Sequence, residues 1–485
     1  MSGEYREETL RIVDVDLVWL FLVDLSDWLS DVPKAGRSIY HTELATGMIN
    51  YPSPKETNSD ITEILCKDEV LREELEHRLQ VDLEVIDAEY VESQRFIRLR
   101  LKGFKIDLLE LGEQFVSVNA SLHRSGIGVL TMTLSLRGVN ITPSEIINLE
   151  LLPKSNEILK FRLPLELVRE YSKINAKVAS TLKDLSSTRQ DLPLEASLNE
   201  IVWYYWSSMV DAIWKIGSEK KLLNKLRYEV FMAYPALFIR KTSPEYMTPN
   251  ELTQKHPKQV YGILTQVLRQ PMANIRSENV NKMLGDDLSE RVDVSTFIAL
   301  ESTLIVHSEK SWRVLTNIAE TRKTSIEHEY LYDVWTLLNV IEFLQVQRQI
   351  LWLYDSILAS SPGESLSPRQ LAKVKEDITR GIDEFYNIKV AAQREAWEKI
   401  EYGKKVFMIT DLFDTVTGKL SLLAEAANTL HSLRMEAFGL ALSVMLSVTP
   451  FIFNFPELLI VIGNCVMVAA YLLSGAIWKR RRKKK

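Results

Sequence analysis

Residues 437–478 read AFGLALSVMLSVTPFIFNFPELLIVIGNCVMVAAYLLSGAIW. Two uncharged apolar runs, Ala437 to Phe453 and Leu458 to Trp478, are separated only by Asn454, Phe455, Pro456 and Glu457. As helices they would reach roughly 25 and 31 Å at 1.5 Å per residue, close to the hydrocarbon thickness of a bilayer. The pattern predicts a C-terminal two-helix transmembrane hairpin over 437–478. Behind it stand Lys479, Arg480, Arg481, Arg482, Lys483, Lys484 and Lys485, a basic tail over 479–485 that the positive-inside rule keeps cytoplasmic. A hairpin returns the long N-terminal part to the same side. The expected location is therefore the cell membrane, multi-pass, with both termini cytoplasmic.

Composition fits this division. The chain has 59 Lys plus Arg against 65 Asp plus Glu, and setting aside the seven tail cations leaves 52 against 65, a net −13 for the rest. An acidic body argues against nucleic acid as a partner and is compatible with divalent cations near its surface. Two cysteines far apart, Cys66 and Cys465, offer no disulfide framework. The apolar stretch Leu17 to Leu25 is short, interrupted by Asp24 and preceded by Asp14 and Asp16, so it reads as a strand and not as a signal peptide.

Upstream of the hairpin the pattern changes twice. Over 1–155 short branched runs at Ile12 to Val23, Val81 to Ile86, Phe96 to Leu101 and Ile127 to Leu136 predict strands, with helices at Asp68 to Leu79 and Ser144 to Leu149, the latter entered through Thr142 and Pro143. This is a cytosolic α/β domain. Residues 156–324 are mixed: helical periodicity from Leu163 to Leu226 with an aromatic cluster at Trp203, Tyr204, Tyr205, Trp206 and Trp214, read as core. Possible strands at Tyr228 to Ile239 and Val292 to Val306 then bracket a helix around Glu251 to Leu268. Two α/β lobes and one larger lobe with a helical insertion both fit. The expected fold class is α+β in the cytosolic part, followed by a long stalk helix and the hairpin.

Residues 325–436 read as a helical hairpin. Ser325 to Ser360 is a soluble buried helix, because Asn339, Glu342, Gln345, Gln347, Arg348 and Gln349 interrupt its apolar face. After a turn at Pro362 and Gly363, Ser367, Pro368 and Gln370 supply an N-cap, a first-turn proline and a capping-box partner. The apolar period then continues to Leu430, predicting an unbroken stalk of roughly 70 residues and ~105 Å that enters the first span directly. Its apolar stripe beyond Gly403 needs cover, so the expectation is a homo-oligomer with the stalks around an axis, with a folded-back cytosolic lobe covering the same stripe in a monomer as the alternative. In such a ring Gly439, Ser443, Ser447 and Thr449 would line a pore, with Asn454 at its outer mouth. Close helix approach along the same small residues is the plainer alternative.

The order of these elements resembles the CorA-type magnesium channel family: a cytosolic α/β domain, a very long stalk continuous with the first span, a short outer loop, a second span and a lysine-rich end. The family's Gly-Met-Asn signature is absent; this chain reads Pro450, Phe451, Ile452, Phe453, Asn454, and only Asn454 aligns with the signature's asparagine. The resemblance implies a homopentamer in a lipid bilayer that conducts Mg2+ or another divalent cation, gated by its cytosolic part. Asp411 and Asp414 are the candidates for regulatory cation binding between subunits. The alternatives are a membrane effector opened by a small cytosolic ligand, which permeabilises the membrane, and a non-conducting membrane-anchored scaffold.

Catalysis is not expected. The seven histidines have no metal-ligand spacing, Gly126 and Gly128 fall short of a dinucleotide fingerprint, and no phosphate loop or Ser or Cys nucleophile signature occurs. No cofactor and no firmly assigned metal ligand follow from the sequence.

Overall fold

The computed structural model describes residues 10–24, 96–123, 127–155, 157–164, 191–206, 232–267, 275–360 and 394–452. Contacts divide the chain into two units, Met1–Asp355 with Asp377–Thr415, and Ser356–Glu376 with Val416–Lys485. Among the described residues the first unit is built on a nine-stranded sheet.

The strands are β1 (Arg11–Asp24), β2 (Phe96–Leu108), β3 (Gly112–His123), β4 (Ile127–Leu136), β5 (Leu159–Pro164), β6 (Asp191–Ala196), β7 (Met232–Ser243), β8 (Val294–Ile298) and β9 (Thr303–His307). Their spatial order is β6-β5-β2-β3-β4-β1-β7-β9-β8. Every pairing is antiparallel except β7 with β9. Because β1 from the first expected lobe pairs with β7 from the second, one larger lobe is present. In β1 the whole run Val15 to Val23 is buried, since both faces of this strand are covered. That is why it reads as a continuous apolar stretch instead of alternating.

Helix α1 (Pro143–Glu150) begins as its sequence dictates: Thr142 accepts from the Glu145 N–H while the Glu145 carboxylate accepts from the Thr142 N–H, a complete capping box. That hydrogen bond holds the Glu145 carboxyl below its usual range. The short α2 (Leu152–Ser155) follows, and α3 covers 198–206. In α3, Tyr204, Tyr205 and Trp206 are buried, as the core reading of the aromatic cluster required; Trp214 lies outside the described residues. Of the segment read as helical from Leu163 to Leu226, residues 198–206 form α3 while 191–196 form β6; residues 165–190 and 207–226 lie outside the described residues. The single strand expected over Val292 to Val306 is the hairpin β8–β9. At the sheet margin Asp287 stands in for a further strand, accepting from the Thr296 N–H (2.9 Å) and the Ser295 hydroxyl (2.6 Å).

Between β7 and β8 lie α4 (Pro249–Lys255), α5 (Pro257–Thr265) and α6 (Ser277–Leu284); α7 (Glu309–Arg322) follows β9. Helix α8 (Ile326–Ser360) falls where the spacing predicts it. It is buried on all sides through Val340 to Gln347, and the Gln345 amide has no hydrogen-bond partner among the described residues.

The stalk is not one helix. Helix α9 (Arg394–Val406) and helix α10 (Ile409–Ile452) are separated at Phe407–Met408, where Met408 takes φ +55°. The hydrophobic period is indifferent to this break, because one left-handed residue interrupts the hydrogen-bond ladder without removing an apolar side chain. Residues 361–393, including the Ser367–Pro368 start, lie outside the described residues.

The membrane expectation is overturned. Among the described residues no helix is long and apolar enough to cross a membrane. Helix α10 carries Asp411, Asp414, Lys419, Glu425, Arg434 and Glu436, and only its end from Ala437 to Ile452 is uncharged, about 24 Å of helix against a hydrocarbon core of roughly 30 Å. The two-helix transmembrane hairpin, the multi-pass cell-membrane location and the membrane part of the fold class are corrected accordingly. The second apolar run, Leu458 to Trp478, and the basic tail lie outside the described residues, as do Val81 to Ile86 and Asp68 to Leu79.

Helices α8 and α9 approach closely at Gly403, where an added Cβ would sit 2.3 Å from Leu344 Cδ1. Leu344 is fully buried and has nowhere to retreat. Gly403→Val is expected to lower stability by about 2 kcal/mol through overpacking, measured by urea unfolding, whereas a surface change at Gly418, which meets nothing within 4 Å, leaves it nearly unchanged.

Candidate functional site

The polar groups of the first unit gather where β1, β7 and β9 meet the start of α7 and α8. Asp16 is buried in β1 at 5% exposure, an acid directly ahead of the apolar run Leu17 to Val23. Its carboxylate accepts from Arg137 Nη2 (2.6 Å) and from the Tyr330 hydroxyl (2.6 Å), and Arg240 Nη stands 3.8 Å away. Tyr330 belongs to α8, so this carboxylate ties the central strand to that helix. Burial, with the Asp16 charge adding to it, pushes the Tyr330 hydroxyl well above its ordinary pKa.

Arg240, on β7, is the hub. Its guanidinium donates two bonds to Glu327 of α8, at 2.9 and 2.7 Å, in the planar geometry a carboxylate favours. The same group lies 4.7 Å from the ring centre of Trp312 and 4.2 Å from that of Tyr330. Trp312 in turn donates its indole N–H to the Arg240 carbonyl at 2.7 Å. Burial works against the arginine's charge, yet Glu327 and Asp16 outweigh it and its proton is held more tightly than usual.

A cleft of ≈ 320 Å³ opens beside this hub. Its walls include Asp14, Arg240, Lys241, Glu245, Tyr246, His307, Glu309 and Trp312. The segment after β7 is fixed by Tyr246, whose hydroxyl meets His256 Nε2 at 2.7 Å and whose carbonyl accepts from the Glu309 N–H at 3.2 Å. His307 is 4% exposed; its Nδ1 meets Ser311 Oγ at 2.9 Å and its Nε2 has no partner among the described residues. Burial first, then Arg291 and Arg240, bring its pKa down to about 3, so the ring is neutral at any physiological pH. A second, wider recess over β2, β5 and β6 has Lys105, Glu113 and Arg162 in its wall, and Glu113 pairs with both cations at the surface. The first cleft is the candidate site.

The residues singled out in the sequence lie elsewhere. Gly439 and Ser443 are exposed on α10; Ser447 and Thr449 belong to the same helix with side chains not described, and Asn454 is outside the described residues. Asp411 and Asp414 are exposed near the start of α10, and among the described residues no group of three or more His, Cys, Asp or Glu side chains could hold a metal. Sequence reading missed Arg240, Trp312 and Tyr330 altogether. One signal was visible: Asp14 and Asp16 interrupt an apolar strand, and a charge in a buried strand needs a partner.

Comparison with known proteins finds no family model, no curated protein and no solved structure that matches the chain.

Proposed function

We propose that the first unit is a small-molecule sensor whose cleft controls the seating of α8. The reading is carried by Arg240, since one side chain both lines the cleft and holds the first turn of α8 through Glu327 and Tyr330. A ligand that draws on this guanidinium changes the balance of those contacts, and only a ligand with different affinity for the two arrangements shifts their populations. Cation conduction needs a membrane span and is not part of this reading.

Cleft chemistry favours a ligand of near-zero net charge with both donors and acceptors. Glu245 is paired with Lys241 at 2.7 Å, Glu309 with Arg313, and Asp14 accepts from the Gly138 N–H at 2.7 Å. An ion of one sign must break such a pair, whereas an amino acid or a nucleoside exchanges partner for partner. The volume suits a molecule of that size.

The test is a panel of amino acids and nucleosides added to the full chain, followed by thermal unfolding and by hydrogen exchange over residues 326–332. At least one compound class is expected to raise Tm and alter exchange there, and Trp312→Ala is expected to weaken its binding by tenfold or more. A panel without any shift, or binding that leaves 326–332 unaltered, overturns the proposal.

A further inference from the structure

Away from the cleft, Glu150 closes α1 at 1% exposure, and neither carboxyl oxygen has a hydrogen-bond partner among the described residues. Helix α1 packs on α5, and the turn between β8 and β9 lies against both through Ser302. The Ser302 hydroxyl beside Glu150 is directed instead to the carbonyls of Ile263 and Leu264, each at 3.2 Å, which pins the turn to the end of α5. Four residues on, Lys154 stays at the surface, 2.7 Å from Gln266 Oε1 and 3.5 Å from Glu301 Oε2.

Other groups that face this corner are also engaged. Tyr234 on β7 donates to the Ala299 carbonyl at 2.7 Å and meets Thr303 Oγ1 at 2.8 Å. Arg348 on α8, which acts on Tyr234 together with Glu150 and Glu301, has its guanidinium near the rings of Trp352 and Phe407. Lys154, the cation that acts on Glu150, is held outside by partners on two elements, Gln266 after α5 and Glu301 in the β8–β9 turn.

We propose that Glu150 and Lys154 form a proton-operated latch. With Glu150 neutral, Lys154 clips Gln266 and Glu301 together at the surface. When the Glu150 proton leaves to solvent, an unpaired buried carboxylate is too costly to keep, so Lys154 abandons both partners to pair with it and the β8–β9 turn comes free of α5. Burial raises the affinity of Glu150 for its proton well above the carboxylate norm. The sign follows: the contribution to stability is complete below the ordinary carboxylate pKa, and it declines as pH rises toward the raised value.

The latch is tested on the full chain by hydrogen exchange over 263–267 and 299–303 as a function of pH, corrected for intrinsic exchange. As the pH rises from the ordinary carboxylate range toward the raised value, the opening constant of these segments is expected to rise by up to about tenfold per pH unit, the value for one linked proton, and to level off above it. Glu150→Gln is expected to abolish this dependence. Lys154→Met, a change at a half-exposed position, removes the clip and the incoming cation together and is expected to leave these segments open already at low pH, with the transition lost. A Glu150→Gln protein with unchanged pH dependence, or a Lys154→Met protein that keeps the transition, overturns the proposal.

Discussion

Replacing Asp16 with alanine is expected to cost about 3–5 kcal/mol of folding stability, in the range found when one partner of a buried charge network is removed. The loss has three sources. Arg137, which also donates to the carbonyls of Val15 and Leu136 at 3.1 and 3.0 Å, keeps those bonds but loses its counter-charge. The Tyr330 hydroxyl, deep under α8, is left without its acceptor. Arg240 retains Glu327, whose side chain is 52% exposed and therefore a weaker anchor than the buried carboxylate. Tyr330→Phe deletes only the hydroxyl and should cost about 1–2 kcal/mol. Urea unfolding gives both values, and hydrogen exchange should place the Asp16→Ala effect at the first turns of α8. A loss under about 1 kcal/mol would show that solvent supplies what the carboxylate does now.

Much of the sheet was legible because its strands announce themselves locally. Ile12 to Val23 and Ile127 to Leu136 coincide with β1 and β4 to within a residue, since both are long, branched and closed by turn formers. The start of α1 was legible for a similar reason: Thr142, Pro143 and Glu145 are a local device whose partners are three residues apart. What failed depended on distance or on a single backbone angle. The β8–β9 hairpin was hidden because its turn, Ala299 to Ser302, contains no glycine or proline, and its stability comes from α5 through Ser302. The break at Met408 has no sequence mark at all, since neither neighbour is a helix breaker. The cleft was illegible because Arg240, His307 and Trp312 come from three elements, and nothing local connects an arginine at the end of β7 with a tryptophan 72 residues later. The apolar run from Ala437 was weighed as a membrane span on its own length and on the second run and basic tail behind it, although its described part follows directly on the charged turns of the same helix.

The second large effect is expected at Phe407, the residue just before the left-handed Met408. It is 1% exposed, its ring meets Tyr234 edge-on at 5.4 Å between centres, and the Arg348 guanidinium lies 5.9 Å from it. Its N–H still donates to the Gly403 carbonyl at 2.9 Å, so the last turn of α9 delivers this ring to the sheet. Phe407→Ala is expected to cost about 3–5 kcal/mol, toward the upper end of that range, because the surroundings are poorly able to collapse. Tyr234 is held in place by the Ala299 carbonyl and Thr303, and Leu344 is already pressed against Gly403. Phe407→Leu, which fills most of the volume, should cost only about 1–1.5 kcal/mol. The contrasting change is Met408→Gly: it relieves a left-handed side-chain conformation worth about 1 kcal/mol at an exposed position and should leave stability equal or higher. Urea unfolding of the three variants separates the contributions of packing and backbone. If Phe407→Ala and Phe407→Leu proved equally mild, the ring would not be what fastens α9 to β7, and the break at Met408 would have to be explained by the backbone alone.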